Sequence, residues 1–291
     1  MDILGIDIGG SSIKGAPVNT DTGELLAERF RLPTPPGALP ADVSVTVAQV
    51  VEHFHWQGPI GCGFPAVVRH GQVLTAANIS RTWIGQDALQ LFAQTTGCPV
   101  VVLNDADAAG CAEMRFGAGK DRPGVVFMAT LGTGIGTALF VDGSLVPNTE
   151  LGHIEIRGKD AEKRAAASVR ERRKLTWKRW AKHVNEYLCY IEFYLRPDLI
   201  ILGGGVSSKA DKFLPLLHLD TAVVAAQMSN EAGIVGAALA AASYPHTGEQ
   251  AAPPAPAPPM TADTPVEPPS TSQDGVSNPI HDTHEIHEPL L

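Results

Sequence analysis

The sequence lacks paired cysteines and long apolar runs. Its four cysteines, Cys62, Cys98, Cys111 and Cys189, are scattered without a CxxC pair, which excludes a disulfide framework and a cysteine-based zinc knuckle. No stretch approaches the roughly 18 to 20 apolar residues of a membrane span, and the N-terminus MDILGID lacks the features of a signal peptide. We therefore expect a cytoplasmic protein with reduced thiols and no membrane partner.

Basic residues are absent from residues 251–291, which carry six acids. The net charge of −9 therefore leaves only −3 for the rest of the chain. Residues 157–182, by contrast, hold eleven of the 22 basic residues against three acids. The eleven are Arg157, Lys159, Lys163, Arg164, Arg170, Arg172, Arg173, Lys174, Lys178, Arg179 and Lys182. This basic stretch predicts a local positive surface on an otherwise acidic protein.

Residues 245–291 contain eleven of the 23 prolines and few large apolar residues. Such a segment cannot bury enough surface to offset its ordering entropy, so we predict a disordered, proline-rich tail. His281, His284 and His287 recur there at every third position. They could bind a metal, although histidines in a flexible tail more often have no specific role.

Ahead of the tail, strand-like and helix-like segments alternate. Segments such as CPVVVLND and DLIILGGG stop at Gly, Asn or Asp, whereas DADAAGCAEMRFG and WKRWAKHVNEYLCYIEFYL have helical spacing. Residues 3–33 have the pattern of a β-meander with NTDTGE as a turn. Four aromatic residues of the second helical segment, Trp177, Trp180, Tyr187 and Tyr190, are expected in the core. The alternation predicts an α/β fold.

Two segments share the pattern of a strand, a glycine-rich turn and a second strand: GIDIGGSSIKGAPV at residues 5–18 and ATLGTGIGTALFV at residues 129–141. Glycine leaves the backbone N–H groups bare and tolerates positive φ, so both turns could approach a polyanion closely. Asp7 is placed to hold Mg²⁺ or its waters, and Lys14 to pair with phosphate or stabilise the turn. The candidate phosphate-binding residues are Asp7, Gly9, Gly10, Ser11, Ser12, Lys14, Thr130, Gly132, Thr133 and Gly134.

These motifs resemble those of the ROK family of sugar kinases, within the actin-like ATPase superfamily. DIGGSSIKG and TLGTGIGTA resemble its phosphate motifs, LNDADAAGCAE its catalytic segment, and ELGH its sugar-binding motif. LGGGVS, with Gly203, Gly204 and Gly205, resembles the segment that lines the adenosine site. The resemblance implies an α/β, actin-like (ribonuclease H-like) fold of two lobes around a central cleft. We expect a small lobe at residues 1–104, a large lobe at 105–244 and the tail at 245–291.

The segment after ELGH indicates which branch of the family the chain resembles. Most of the family carries a cysteine-rich zinc loop there, whereas this chain has no cysteine between His153 and Cys189. We therefore expect no zinc. The shortened segment, with TAANISRTWIG and SSKADKFLPLL, is similar to the polyphosphate glucokinases and related glucomannokinases. That branch implies a homodimer that uses Mg²⁺, with inorganic polyphosphate and often ATP as phosphoryl donor.

The resemblance also assigns roles to polar residues. Asp105, at the end of an apolar strand, is the candidate general base beside the 6-hydroxyl of glucose; its alternative is a helix N-cap, a role for which Asp107 competes. A sugar needs side chains that donate and accept hydrogen bonds. The candidate sugar-binding residues are Asn78, Asn104, Asp105, Glu150, His153 and Glu162. Glu155 and Glu171 are alternatives to Glu162.

The basic stretch has two interpretations. It could be a solvated helix face, or a groove in which cations neutralise successive phosphates of a linear polyanion, extended by Lys120, Lys209 and Lys212. Nucleic acid is not expected, because no base-reading element is evident.

We therefore predict a kinase that phosphorylates glucose, with mannose a candidate acceptor, from polyphosphate and ATP. The alternatives are a strictly ATP-dependent ROK hexokinase and a non-catalytic sugar-sensing ROK protein. A ROK repressor is disfavoured, because the first motif begins at residue 3.

Overall fold

The chain begins as an antiparallel meander, as the sequence predicts. In the computed structural model, which describes residues 1–77 and 79–243, strand β1 (Asp2–Ile8) pairs with β2 (Ser12–Asn19), and β2 pairs with β3 (Phe30–Pro33). The next elements are α1 (Pro40–His53), β4 (Ile60–Phe64), the short hairpin of β5 (Val68–Arg69) and β6 (Gln72–Val73), α2 (Ala88–Thr96) and β7 (Val100–Asn104). The first sheet has the order β3-β2-β1-β4-β7, with β4 and β7 parallel to β1.

The second half of the chain repeats this arrangement. Its elements are α3 (Asp105–Phe116), β8 (Val125–Leu131), β9 (Ile135–Val141), β10 (Ser144–Val146), β11 (Glu155–Ile156), β12 (Lys159–Asp160), α4 (Glu162–Ala165), α5 (Ala167–Arg172), α6 (Trp177–Leu195), β13 (Leu199–Gly203), β14 (Val223–Ala225) and α7 (Ala232–Ser243). The second sheet has the order β10-β9-β8-β13-β14, again three antiparallel strands followed by two parallel ones. The two similar glycine-rich segments of the sequence thus lie in equivalent hairpins of two sheets with the same arrangement.

Helices α3 and α7 connect the two halves through unusually close contacts. A Cβ at Gly61 of β4 would lie 1.8 Å from the carbonyl oxygen of Ala237, and one at Gly236 would lie 1.6 Å from that of Ala108. Glycine is therefore required for α7 to pack directly on the first sheet and on α3. The expected boundary at residues 104 and 105 falls where β7 passes into α3, although α7 returns to the first sheet. The exact division into lobes stays a prediction.

Most of the predicted aromatic core is present. Trp180 and Tyr187 of α6 are fully buried beneath the second sheet, while Trp177 is partly buried and stacks on Phe213. The prediction is wrong for Tyr190, whose relative exposure is 36%, because it lies on the outer face of α6. Within the described ranges, no helix combines the length and apolar character needed to cross a bilayer. The predicted tail and its three histidines lie outside the described residues.

Candidate active site

The turn between β1 and β2 presents Gly9, Gly10 and Ser11 at the surface. Its shape is fixed by a hydrogen bond from the Gly9 amide to the carbonyl of Ser12, at 3.0 Å. Thr34, just after β3, ties the turn down by donating from its amide to the carbonyl of Ser11 and from its hydroxyl to that of Gly9. Ser12 is buried within the sheet. The turn is therefore an anchored loop with an open backbone, as the phosphate-binding prediction requires.

The turn between β8 and β9 is the counterpart in the second sheet. The Gly132 amide donates to the carbonyl of Gly134 at 2.9 Å, and a Cβ at Gly132 would meet no atom within 4 Å. Ser168, in the first turn of α5, donates to the carbonyls of Gly132 and Thr133. This turn too combines an open backbone with external support.

The reason for glycine in these turns differs from the prediction. Gly9, Gly132 and Gly136 do not adopt positive φ, so that part of the expectation is wrong. Gly136 is instead required by a close approach, since a Cβ there would lie 2.8 Å from the Cβ of Ala106 in α3. Of the segment Gly203–Gly205, only Gly204 has positive φ, at +81°, and it packs against the backbone of Leu131. Gly205 has open space around it.

Asp7 and Lys14 face each other across the first hairpin. Lys14 Nζ lies 3.0 Å from Asp7 Oδ2, and both side chains are largely buried. The start of α7 closes over the carboxylate, because a Cβ at Gly233 would lie 2.9 Å from Asp7 Cγ. Of the two roles predicted for Lys14, this contact supports stabilisation of the turn. It leaves one oxygen of Asp7 without a salt bridge, which suits a Mg²⁺ ion that keeps most of its waters.

Asp105 is the first residue of α3, and its neighbour Asn104 is the N-cap. Asn104 Oδ1 accepts from the amides of Ala106 and Asp107, and its Nδ2 donates to the carbonyl of Ala66. The alternative role as N-cap is therefore wrong for both Asp105 and Asp107. Capping by Asn104 leaves Asp105 free for another role, apart from a bond to its neighbouring amide of Ala106.

The environment of Asp105 makes it a stronger base than an ordinary aspartate. Burial is the main cause that raises the pKa of its carboxyl to about 7, followed by the negative charge of Asp7, with smaller effects of Glu150 and Asp107. The Ala106 amide opposes this rise by stabilising the ionised form. A carboxylate with a pKa near neutrality is well matched to accepting a proton from a hydroxyl group at physiological pH.

The sugar-site candidates Glu150, His153 and Glu162 lie together. His153 Nε2 is 3.7 Å from Glu150 Oε2, and Glu162 Oε2 accepts from the Ile135 amide at the start of β9, at 2.9 Å. Gly152 is packed so tightly on β9 that a Cβ would lie 2.0 Å from the carbonyl oxygen of Ile135. The second phosphate turn and the sugar motif are thus adjoining parts of one structure.

This grouping favours Glu162 over Glu155 and Glu171 as the sugar-binding glutamate. The charge of Glu162 contributes to the raised pKa values of Glu150 and His153, whereas Glu155 and Glu171 are exposed. Burial is the main cause that raises the pKa of Glu150. For His153, burial lowers the pKa, but the hydrogen bond with Asp160 and the charges of Glu162, Asp160 and Glu150 outweigh it and raise the pKa. The role of Glu162 in sugar binding stays a prediction, as does that of Asn78, which lies outside the described residues.

Asp107 and Asn148 form a contact that the sequence did not suggest. Asp107 Oδ2 accepts from the Asn148 amide at 2.8 Å, and the side chain of Asn148 bonds both backbone groups of Val68. Asp107 Oδ1 is buried without a hydrogen-bond partner among the described residues. Burial is the main cause that raises the pKa of Asp107 to about 7, against the effect of the Asn148 amide. Asn148 has positive φ, a conformation for which asparagine is enriched, but nothing in the sequence pairs it with Asp107.

The basic stretch surrounds a pocket beside the sugar motif. The pocket has a volume of about 640 Å³ and is lined by Gly158, Lys159, Asp160, Lys163, Arg164, Arg173 and His183. Arg164 and Arg157 both pair with Glu186 of α6. Among the described residues, Lys159, Lys163 and Arg173 form no salt bridge. Arg170 and Lys212 instead lie over the ring of Trp177, so only part of the stretch is available to an anion.

The fold, the paired turns and the sugar motif together define a sugar kinase of the ROK type. The sequence profile of the ROK family matches residues 3–166, and the chain belongs to that family. It is 53% identical over 238 residues to a polyphosphate glucokinase of Mycobacterium tuberculosis, covering 81% of this chain and 90% of that protein. It is 51% identical to the polyphosphate glucokinase of Mycobacterium leprae, covering 81% of this chain and 74% of that protein.

Solved structures agree with these relatives. The inorganic polyphosphate/ATP-glucomannokinase from Arthrobacter sp. strain KM superposes with a TM-score of 0.81 at 48% identity, covering 83% of this chain and 98% of that one. A ROK family glucokinase from Streptomyces griseus, solved with glucose and AMPPNP, gives a TM-score of 0.72 at 25% identity and covers 84% of this chain and 100% of that one. The predicted resemblance to the polyphosphate-using branch is confirmed.

Proposed function

We propose that this protein is a polyphosphate-dependent glucokinase, with ATP as a second donor and mannose as a second acceptor. The observation that carries the proposal is Asp105, a half-buried carboxylate at the start of α3 whose pKa is raised by burial and by the charges of Asp7, a candidate donor-site residue, and Glu150, a candidate sugar-site residue. The similarity to polyphosphate glucokinases and to a polyphosphate/ATP-glucomannokinase supports the choice of substrates.

In the proposed reaction, the oxygen of the sugar 6-hydroxyl attacks the terminal phosphorus of the donor while Asp105 accepts the proton of that hydroxyl. A new O–P bond forms, and the bond between that phosphorus and the bridging oxygen breaks. Polyphosphate leaves one unit shorter, or ATP leaves as ADP. Because phosphoryl transfer depends on positioning and electrostatics, the open amides of the two turns supply much of the catalysis.

Asp7 would hold a Mg²⁺ ion, directly and through water, and the ion would neutralise charge on the transferred phosphoryl group. Lys14 keeps the Asp7 carboxylate in place by its contact at 3.0 Å. Glu150, His153, Glu162 and Asn104 would bind the hydroxyl groups of the hexose and hold the 6-hydroxyl toward Asp105. Zinc has no role in this proposal, because the chain has no cysteine between His153 and Cys189 to complete the family's zinc loop.

The segment Gly203–Gly205 supports ATP as a second donor, because its resemblance to the adenosine-lining segment is combined with free space at Gly205. The experiment that tests the function is formation of glucose 6-phosphate from glucose and Mg²⁺, with long-chain polyphosphate or ATP at matched phosphoryl concentration. We expect turnover with polyphosphate. Turnover with ATP alone would leave a strictly ATP-dependent hexokinase, and no turnover with either would contradict the kinase assignment for glucose.

The pocket beside the sugar motif is our candidate for contacts with distal phosphates of a long polyphosphate. We predict that replacing Lys163 and Arg173 together by Ala raises the KM for long-chain polyphosphate several-fold, because two uncompensated cations are lost, and leaves the KM for ATP unchanged. The matched control replaces Arg172 and Lys178, which are exposed in the same stretch but do not line the pocket. Equal effects of both pairs would favour the alternative of a solvated face.

We also propose a homodimer, as the family resemblance implies. The outer face of α6 carries Tyr190, Phe193 and Tyr194, with relative exposures of 36%, 64% and 70%. Aromatic residues at this spacing form one apolar strip of the kind enriched at protein interfaces. Light scattering coupled to gel filtration measures the mass, and Phe193→Glu tests whether this strip forms the contact.

A further inference from the structure

Asp160 ends the short hairpin of β11 and β12, directly after the sugar motif. The hairpin turns at Arg157 and Gly158, both with positive φ, and pairs Asp160 with Glu155 across the two strands. The hairpin therefore returns the chain to His153 after only seven residues. Nothing in the composition of this segment marked Asp160 as part of the site.

The two oxygens of Asp160 contact two different sugar-site candidates. Oδ2 lies 3.0 Å from His153 Nδ1, and Oδ1 accepts from the Glu162 amide at 2.9 Å. The first contact fixes the plane of the imidazole ring. The second fixes the first residue of α4, whose own carboxylate reaches the Ile135 amide at the second phosphate turn. One side chain thus connects the histidine and the glutamate of the sugar group.

The contact with Asp160 also sets the proton on His153. A carboxylate accepts only, so Nδ1 must carry the hydrogen in this contact, and Nε2 is the atom that faces Glu150. The carboxylates that face the ring are Asp160, Glu150 and Glu162. With Asp160 in place, the neutral ring presents an acceptor at Nε2, and the protonated ring presents a donor there.

We propose that Asp160 is a positioning residue for the sugar site, holding the His153 ring and the start of α4 so that His153 and Glu162 face the hexose as one unit. The proposal rests on the function proposed above, because it takes that group as the sugar site. Asp160 itself does not touch the sugar, but it also lines the pocket proposed for distal phosphates of polyphosphate, so ATP is the donor to use in testing its role.

Asp160→Asn tests the proposal with little change of shape. The amide can still accept from the Glu162 amide through its oxygen, but its NH₂ group faces His153 and favours the opposite tautomer. We expect the KM and the Kd for glucose to rise by about tenfold or more, the range for losing a hydrogen bond to a charged group, while the KM for ATP is unchanged. Glu155→Gln makes the same exchange at the paired, exposed position and should leave all three constants as in the wild type.

Two further measurements separate positioning from general support of the fold. ¹⁵N NMR of the His153 ring should show a hydrogen on Nδ1 in the wild type and a shift of that hydrogen, with a lower pKa, in Asp160→Asn. Unfolding temperatures of both variants should match the wild type. A glucose Kd unchanged in Asp160→Asn would overturn the proposal even if the protein is a glucokinase. So would parallel losses for glucose and donor with a lowered unfolding temperature.

Calorimetry of glucose binding needs no phosphoryl donor, so it tests Asp160 independently of the reaction. If the wild type binds glucose without phosphorylating it, the proposed function is wrong while the tenfold difference in Kd still decides the role of Asp160. If the wild type does not bind glucose, both proposals are overturned.

Discussion

The first turn of α3 has two sides that carry the same side chain in different surroundings. On one side, Asp105 is half-buried and close enough to Asp7 and Glu150 for their charges to raise its pKa, and a substrate hydroxyl could reach it. On the other side, Asp107 is 1% exposed and accepts from the Asn148 amide. Burial raises the pKa of both carboxyls to about 7. A perturbed pKa therefore does not by itself mark the catalytic group; the side chain must also be accessible to a substrate, as that of Asp105 is and that of Asp107 is not.

The largest expected difference between Asp105 and Asp107 is in kcat, when each carboxylate is replaced by the corresponding amide. Asp105→Asn cannot accept a proton, so we predict that kcat falls by a factor of about 10² to 10⁴, the usual contribution of a general base. The Kd for glucose should change little. The measurement is steady-state formation of glucose 6-phosphate with calorimetry of glucose binding.

The control for that comparison is Asp107→Asn, which should keep kcat within about tenfold of the wild type because the buried side chain is not accessible to a substrate. A larger loss of activity in Asp107→Asn than in Asp105→Asn would reverse the assignment of the two carboxylates.

Mutation of Asp107 should instead change how stability depends on pH. Its pKa in the folded protein lies above that of the unfolded chain, so its contribution to the free energy of unfolding is largest below about pH 4 and is lost as the pH rises through about 7. Relative to the wild type, Asp107→Asn should therefore gain stability between pH 4 and pH 8, by about 4 kcal/mol, because the pKa values in the folded and unfolded states differ by about 3. Urea unfolding at several pH values measures this difference, and a constant difference across the range would contradict it.

The electrostatic coupling between Asp105 and Asp107 predicts a smaller effect, on the pH dependence of kcat/KM. The charge of Asp107 contributes to the raised pKa of Asp105, although it is the last of the causes. In Asp107→Asn the acidic decline of kcat/KM should therefore move to lower pH by a fraction of a unit. If the midpoint of kcat/KM is the same in Asp107→Asn as in a wild type whose Asp107 is ionised, the charge of Asp107 does not influence Asp105 and the prediction is contradicted.

Features that depend on local pattern were predictable from the sequence. The meander, the two glycine turns and the helix at residues 177–195 follow from alternation, turn residues and periodicity. Contacts between distant segments were not, because pattern carries no information on which loops meet. Asp107 meets Asn148 across 41 residues, and Asp160 reaches back to His153 through a two-strand hairpin. The cap at Asn104 was missed because three closely spaced candidates, Asn104, Asp105 and Asp107, all suit the start of a helix.

The pH dependence of kcat/KM, measured beside a ¹³C NMR titration of the Asp105 carboxyl, tests most directly whether this buried carboxylate is the base. Asp105 must be ionised to accept the proton, so kcat/KM should fall about tenfold per unit below a midpoint near pH 7 and reach a plateau above it. The NMR midpoint of Asp105 should coincide with the kinetic one. A carboxyl that titrates near 4, with activity unchanged between pH 5 and pH 7, would contradict the account.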